Sequence, residues 1–531
     1  MIEYRELSQS LRQKERAYEV WKLLLLGYVL FAVFPYLFFS TGLHGDDYST
    51  ILKAKDLDIW SFLNPHPNVK GSHVFGLPSK YVFWWVYGVA GDQWQWLYDV
   101  VKYIAHLSTI FFSYKFWNDY MSKRKALLAA GIFVLFPIHD TTTYWYMTLS
   151  YVFTPALIMF SHHLIRKNQY ISGVILTILG AFFNYSSPPY IFGLALIFAV
   201  ERSYKKALIF SAPGFTYVLY YFMISWMYPF AEKRILDGIN FVQFIKNFLL
   251  QIGSSIDAVI GLSSWLKIYY GITSIGFFSL VVCLSVLTIV WFTIRSSKVT
   301  KVTWSLLIGL VSVLLLSYAM LSLTGFYTQT AFNLGNRVTV YGSLPLAYLL
   351  VLPAFNKRMF VVLALVFFLP VFGMSDYWKS WNEHQKSVIN KIGSNQKLAL
   401  LMEEDVLLVT GNIYSRLGPF SHIELFSMPW TVNSIFFKST PSRNVMALSN
   451  YVRTGGGRLI DPKFGGYVSV KERMYLYDSD RNVVSVITPT DLEGVMEKRL
   501  LEIRHWMQLI GDGPVRRAVL GLSPRLEYLF E

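Results

Sequence analysis

The chain has 531 residues, of which 54% are hydrophobic and 17% aromatic, with a formal charge of +15. That composition fits a membrane protein better than a soluble one. The charge suggests nucleic acid at first sight, but the basic residues gather in short loops between apolar runs, where they set orientation across a membrane, and no nucleic-acid partner is expected. The single cysteine, Cys283, lies inside an apolar run, which excludes an intrachain disulfide and any CxxC metal site.

A basic N-terminal stretch precedes the first apolar run, Trp21 to Ser40, which is long enough to span the hydrocarbon as a helix. Phe38 stands where cleavage at Ser40 needs a small residue, so the run reads as an uncleaved signal anchor with a cytoplasmic N-terminus. Apolar runs follow at about 94 to 114, 126 to 140, 145 to 164, 170 to 184, 188 to 200, 207 to 228, 269 to 294, 302 to 323, 338 to 353 and 359 to 374. Together they predict a mainly α protein, a polytopic helix bundle of about eleven spans. Alternate loops hold the basic clusters, among them Lys123-Arg124-Lys125, Arg166-Lys167, Lys205-Lys206 and Lys357-Arg358. An odd span count then places the remaining residues, 375 to 531, outside the cytosol as a soluble α/β domain.

Three outer loops are too long to be simple connections. The first, 41 to 93, has Tyr48, Leu52, Ile59 and Leu63 at helical spacing, then an aromatic run too short to span; helices lying in the membrane interface are expected there. The second, 229 to 268, has Phe241, Phe244, Ile245, Phe248 and Leu249 on one helical face and is expected to be interfacial too. The third, Thr324 to Arg337, is polar. In the tail, Val406 to Thr410 reads as a strand, and Met474 to Tyr477 with Val483 to Ile487 as a hairpin. Its turn, Asp478 to Asn482, imitates a calcium loop but lacks the glycine and the bidentate glutamate. Thr490 with Glu493 predicts a capping box opening a helix to about Ile510.

The strongest chemical signal is Asp46-Asp47, placed where the chain leaves the first span and flanked by Gly45. Such a pair is either a general base at a membrane surface or the cap of the next helix. Arg337 is the only basic residue of the third outer loop, at the entrance to an apolar helix, where a guanidinium can grip a lipid phosphate in bidentate fashion. Lys233 and Arg234 in the second loop are candidates for similar phosphate contacts. His44 and Tyr48 beside the acidic pair are candidate substrate contacts, as are His139 and Asp140 at the outer end of the third span. His44, His66 and His73 share the first loop, but their spacing matches no ligand pattern, so neither a metal nor another cofactor is expected. Asp56-Leu57-Asp58 reads as the polar face of an interfacial helix.

Cytosolic N-terminus, one span, an acidic pair opening a long outer loop, further spans, a later outer-loop arginine and an exterior tail together resemble the GT-C superfamily of integral-membrane glycosyltransferases. The resemblance rests on the architecture of residues 1 to 374 and, by motif, on Gly45-Asp46-Asp47 and Arg337. It implies a sugar carried on a polyprenyl phosphate and transferred, with inversion, to a glycan, lipid-linked glycan or protein acceptor on the outer face of a bacterial inner membrane. It also implies that one acid of the pair is the base: Asp46 is favoured, with Asp47 supporting. Two alternatives stay open: a lipid-linked-glycan polymerase or ligase resting on arginine and histidine, and a transporter or flippase using Asp46, Asp47 and Asp140 as an ion relay.

Overall fold

The computed structural model describes residues 27–54, 83, 85–227, 235, 238–293, 298–324, 328–354, 356–463, 465–522 and 524–530. The protein is mainly helical, with apolar helices through most of its length and a small sheet region towards the C-terminus. Among the described residues six helical stretches are long and apolar enough to cross a membrane: Lys123–Tyr144, Tyr146–Arg166, Tyr204–Met227, Phe241–Thr273, Trp304–Thr324 and Lys357–Ser394. Four shorter apolar helices, Val29–Phe38, Tyr170–Phe183, Pro188–Val200 and Phe277–Trp291, accompany them.

The expected count of about eleven is therefore not confirmed: several of the other expected spans fall on helices that are short or polar. Val340–Val351 has 12 residues and an internal Pro345. Gln95–Trp117 has 23 residues but buries Asp99, Lys102 and His106, and such groups at membrane depth are held against protein rather than lipid. The second outer loop also differs from expectation. Its apolar face forms the helix Phe241–Val259, which turns at Gly261 into Leu262–Thr273, and the two together are long enough to cross rather than only to lie in the interface.

Five helices position the site. They are α1 (Asp46–Ala54), α2 (Gln95–Trp117), α3 (Leu262–Thr273), α4 (Leu369–Ser394) and α5 (Pro429–Phe436). The boundary expected at 374/375 falls inside α4, whose first turns are buried among apolar helices and whose last turns, Val388 and Ile392, enter the core of the sheet region. One continuous helix thus joins the two parts.

Among the described residues the sheet region has nine short strands. β1 (Val406–Thr410) is central in a sheet of order β4-β1-β8-β9, paired in parallel with β4 (Asn444–Ala447) and β8 (Met474–Asp478). Val406 to Val409 are all buried, as a strand covered on both faces must be. β9 (Val483–Ile487) closes a hairpin on β8, in which the Asp478 carboxylate accepts from the Asp480 and Arg481 amides and holds the turn. β2 (Tyr414–Leu417) and β3 (Phe420–Glu424) form a separate hairpin; β5 (Arg453–Gly455), β6 (Arg458–Asp461) and β7 (Gly466–Ser469) form a third, antiparallel sheet. The helix after β9 begins two residues earlier than expected, with Thr488 and Asp491 as its capping box and Pro489 at its first position, and it ends at Glu497 rather than near Ile510.

Candidate functional site

The segment from Ser40 to Asp47 is fastened from several sides. The Ser40 amide donates to Asp99 at 2.9 Å, and Asn382 of α4 donates to the Ser40 carbonyl at 3.0 Å. Lys102, paired with Asp99 at 2.8 Å, donates to the Thr41 hydroxyl at 2.5 Å. His44 is buried with both ring nitrogens engaged: Nε2 lies 2.6 Å from the Thr41 carbonyl and Nδ1 2.6 Å from the Gln385 amide. Burial pushes its imidazole down to about 3, so it is neutral and holds the loop through chain contacts, with no nitrogen left for a metal. Gly45 has a φ of +47°, and a Cβ there would come within 3.1 Å of the Trp145 ring and 3.4 Å of the Glu424 carbonyl oxygen. Glycine is needed both for the turn and for the closeness of these neighbours.

The two aspartates have different surroundings. Asp47 is fully buried; its carboxylate accepts from the His44 amide at 2.8 Å and from the Tyr87 hydroxyl at 2.5 Å. Burial raises its pKa to about 7, with both hydrogen bonds pulling the other way. This is a capping and loop-fixing position. Asp46, at the first position of α1, is half-buried and points to the sheet region, where Trp430 of α5 donates to its Oδ1 at 2.6 Å. Burial raises its pKa, the Trp430 bond and the charge of Arg337 oppose the rise, and the charge of Glu424 adds to it. Tyr48 packs nearby, its hydroxyl 3.4 Å from the Leu43 carbonyl.

Arg337 sits on the 3-10 turn Leu334–Thr339, its guanidinium 5.3 Å from the centre of the Tyr151 ring. It is near enough to Asp46 for its charge to bear on that carboxylate. The structure therefore brings Asp46 and Arg337, 291 residues apart by numbering, to one junction.

Asp140 is at a different kind of place. Its Oδ1 accepts from Lys267 of α3 and from Asn336, both at 2.6 Å; its Oδ2 accepts from His422 of β3 at 2.8 Å and from Trp378 of α4 at 2.9 Å. Lys267 also donates to the Ile138 and Ala331 carbonyls. Four donors on two oxygens satisfy the carboxylate, and every one of these side chains is buried. The Asn333 amide donates to His422 Nδ1, so Nε2 carries the proton given to Asp140. His139 beside it has both nitrogens engaged, with the Thr142 hydroxyl and the Phe133 carbonyl, each at 2.9 Å. Asp140 thus ties four separate elements together.

Lys233, Arg234, His66, His73, Asp56 and Asp58 lie outside the described residues. Among the described residues no group of three His, Cys, Asp or Glu side chains gathers as a metal site requires. Sequence reasoning missed Trp430, Thr431, Glu424 and Tyr87. Trp430 is 384 residues from Asp46, and the only local hint is its place after Pro429 at a helix start. No family model matches this chain, and no curated protein or solved structure matches it either.

Proposed function

We propose that this chain is a membrane glycosyltransferase of the GT-C kind, moving a monosaccharide from a polyprenyl-phosphate donor to a hydroxyl of a glycan, lipid-linked glycan or protein on the outer face of a bacterial inner membrane. The observation that carries this reading is the environment of Asp46. It is a half-buried carboxylate with a raised pKa, on a rigid turn where membrane helices meet the sheet region, with the charge of Arg337 acting on it. An acceptor hydroxyl has a pKa far above neutral, so a fixed base must take its proton as the bond to the sugar forms. Charge gathers on the departing phosphate, and a fixed guanidinium meets it without reorganising.

In this reading Asp46 is the base, Asp47 holds the turn, and Arg337 faces the leaving phosphate. Sugar–oxygen bond formation and loss of the lipid phosphate on the opposite face give inversion. Trp430 and Thr431 contact Asp46, so the sheet region borders the proposed base; an exterior tail and a cytoplasmic N-terminus belong to the same reading. The relay alternative has less support, since Asp140 is held by four donors, and so has the histidine-based alternative, since His44 and His139 spend both nitrogens on the chain.

The test is mass spectrometry of membrane lipids and surface glycans from a strain lacking the gene, complemented with wild type or with Asp46→Asn. A monosaccharide-lipid that accumulates in both the null and the Asp46→Asn strain, with a glycan missing its branch, is expected. An Asp46→Asn strain with the wild-type glycan profile overturns the reading.

A further inference from the structure

Basic residues that only orient a chain across a membrane have no need to converge on one another. One group in this protein does converge. Lys123, Arg124 and Lys125 open the helix Lys123–Val134, whose first turn holds no acid, and together with Lys298 from a separate loop they line one open groove of about 510 Å³. Among the described residues no acid lines it.

Hydrogen bonds hold the groove in shape. Lys125 is buried, and its ammonium donates to the Leu352 and Pro353 carbonyls at 3.0 and 2.9 Å. The Thr300 amide donates to the same Leu352 carbonyl at 2.9 Å. Two loops are thereby pinned to the end of Val340–Val351, and this brings Lys298 to the groove. Lys125 is spent on that structure. Lys123, Arg124 and Lys298 are exposed and have no ion-pair partner among the described residues. Asp119, the nearest acid before them in the chain, faces His163 and Lys167 at 2.8 and 3.4 Å. Three cations around one space repel one another, and an anion between them relieves that repulsion.

Size and position narrow the anion. The volume is in the range that takes a small molecule rather than a lone phosphate. Two stretches able to cross a membrane start here: Lys123–Tyr144 begins at the groove, and Trp304–Thr324 begins shortly after Thr300. Val299 in the groove wall is 70% exposed, and Leu127, one turn from Lys123 on the same helix face, is 56% exposed. Beyond them Trp304, Ile308, Val311 and Leu315 form an exposed stripe at helical spacing. Cations with apolar surface leading away from them match a phosphate that carries acyl chains. A soluble anion would leave that apolar surface uncovered.

We propose that this groove binds the headgroup of an anionic phospholipid, with Lys123, Arg124 and Lys298 on its phosphate and Val299 and Leu127 along its first methylenes. The groove lies at the other end of Lys123–Tyr144 from Asp140, and the lipid site stands whether or not the chain transfers a sugar.

Native mass spectrometry of the purified full-length chain, released from a neutral detergent, tests it. The chain is titrated with phosphatidylglycerol or phosphatidylcholine, and inorganic phosphate is set against bound phosphatidylglycerol. One phosphatidylglycerol should bind about tenfold more tightly than phosphatidylcholine, and an equal concentration of inorganic phosphate should not displace it. Arg124→Gln and Lys298→Gln should each weaken that binding about fivefold. Lys205→Gln removes the same charge from another exposed basic site and should leave binding unchanged. Equal binding of the two lipids, wild-type affinity in either groove variant, or an equal loss in Lys205→Gln overturns the site. Displacement by inorganic phosphate at equal concentration makes the ligand a soluble anion and overturns the lipid. Both groove variants alter exposed side chains, so each should melt as wild type does; Lys123→Gln replaces either one that melts lower.

Discussion

Two acids at the same junction are built in opposite ways. Asp140 is buried with four donors on its two oxygens, drawn from α3, α4, β3 and the turn that carries Asn336. Asp46 is half-buried, takes one short bond from Trp430 and a long one of 3.5 Å from Thr431, and feels the charges of Arg337 and Glu424. A saturated carboxylate is a structural tie: its proton affinity is spent on holding its donors. One left with free lone pairs on a rigid turn can bind a proton from something else. In the sequence each follows an apolar run, and what sets Asp46 apart there is its acidic neighbour and the flanking Gly45.

Exchanging their chemistry breaks the comparison most sharply. Asp46→Asn keeps the shape and can still accept from Trp430, so melting in detergent should move by no more than about 0.5 kcal/mol. Transfer should fall by about 10²–10⁴-fold, the usual worth of a positioned base. Asp140→Ala should do the reverse. It strands Lys267 and three further donors in a buried place, a loss of about 3–5 kcal/mol of stability, read as a lower melting temperature and a poor yield of folded protein. If Asp140→Ala melts like wild type, the tie is not one; if Asp46→Asn melts far lower, Asp46 belongs with Asp140.

Much of this was legible in the sequence, and what was not shares a cause. Asp46-Asp47 was visible because charge directly after a long apolar run is rare. β1, β8 and β9 were visible because short β-branched and apolar runs flank a polar turn. The bonds from Trp430 to Asp46 and from His422 to Asp140 span 384 and 282 residues, and no local pattern encodes such a meeting. α4 was divided at residue 374 because its polar residues, from Ser375 onward, look like a soluble segment, although the backbone hydrogen bonds continue to Ser394. The short helices were harder still: a buried helix packed among others need be neither long nor amphipathic.

Asp47 sharpens the contrast within the acidic pair. Asp47→Ala removes the acceptor for the His44 amide and the Tyr87 hydroxyl, at a cost of about 1–3 kcal/mol. Its pKa is raised by burial to about 7, above the range of an unfolded carboxylate near 4. Between those values the folded chain holds the proton more tightly than the unfolded one, so this group's contribution is fully present below about pH 4, is lost as pH rises, and is gone above about pH 7. Melting temperature measured from pH 4 to 8 should therefore fall less steeply in Asp47→Asn than in wild type. Parallel profiles would show that Asp47 keeps its charge in the folded chain.

The smallest change concerns Trp430. Trp430→Phe keeps an aromatic ring on α5 but removes the N–H that reaches Asp46 at 2.6 Å. That bond favours the charged carboxylate, so its loss should raise the pKa of Asp46 further. A base acts only when ionised, so the acid limb of the pH–rate profile should move to higher pH. At a pH above that limb the rate should fall less than tenfold, because one hydrogen bond to a charged group is worth about 1.5–3 kcal/mol when buried and less at a half-exposed site. A rate reduced equally at every pH would instead assign Trp430 to substrate contact. An acid limb that stays in place would mean that the group titrating in catalysis is not Asp46, and the difference drawn between Asp46 and Asp140 would lose its chemical half.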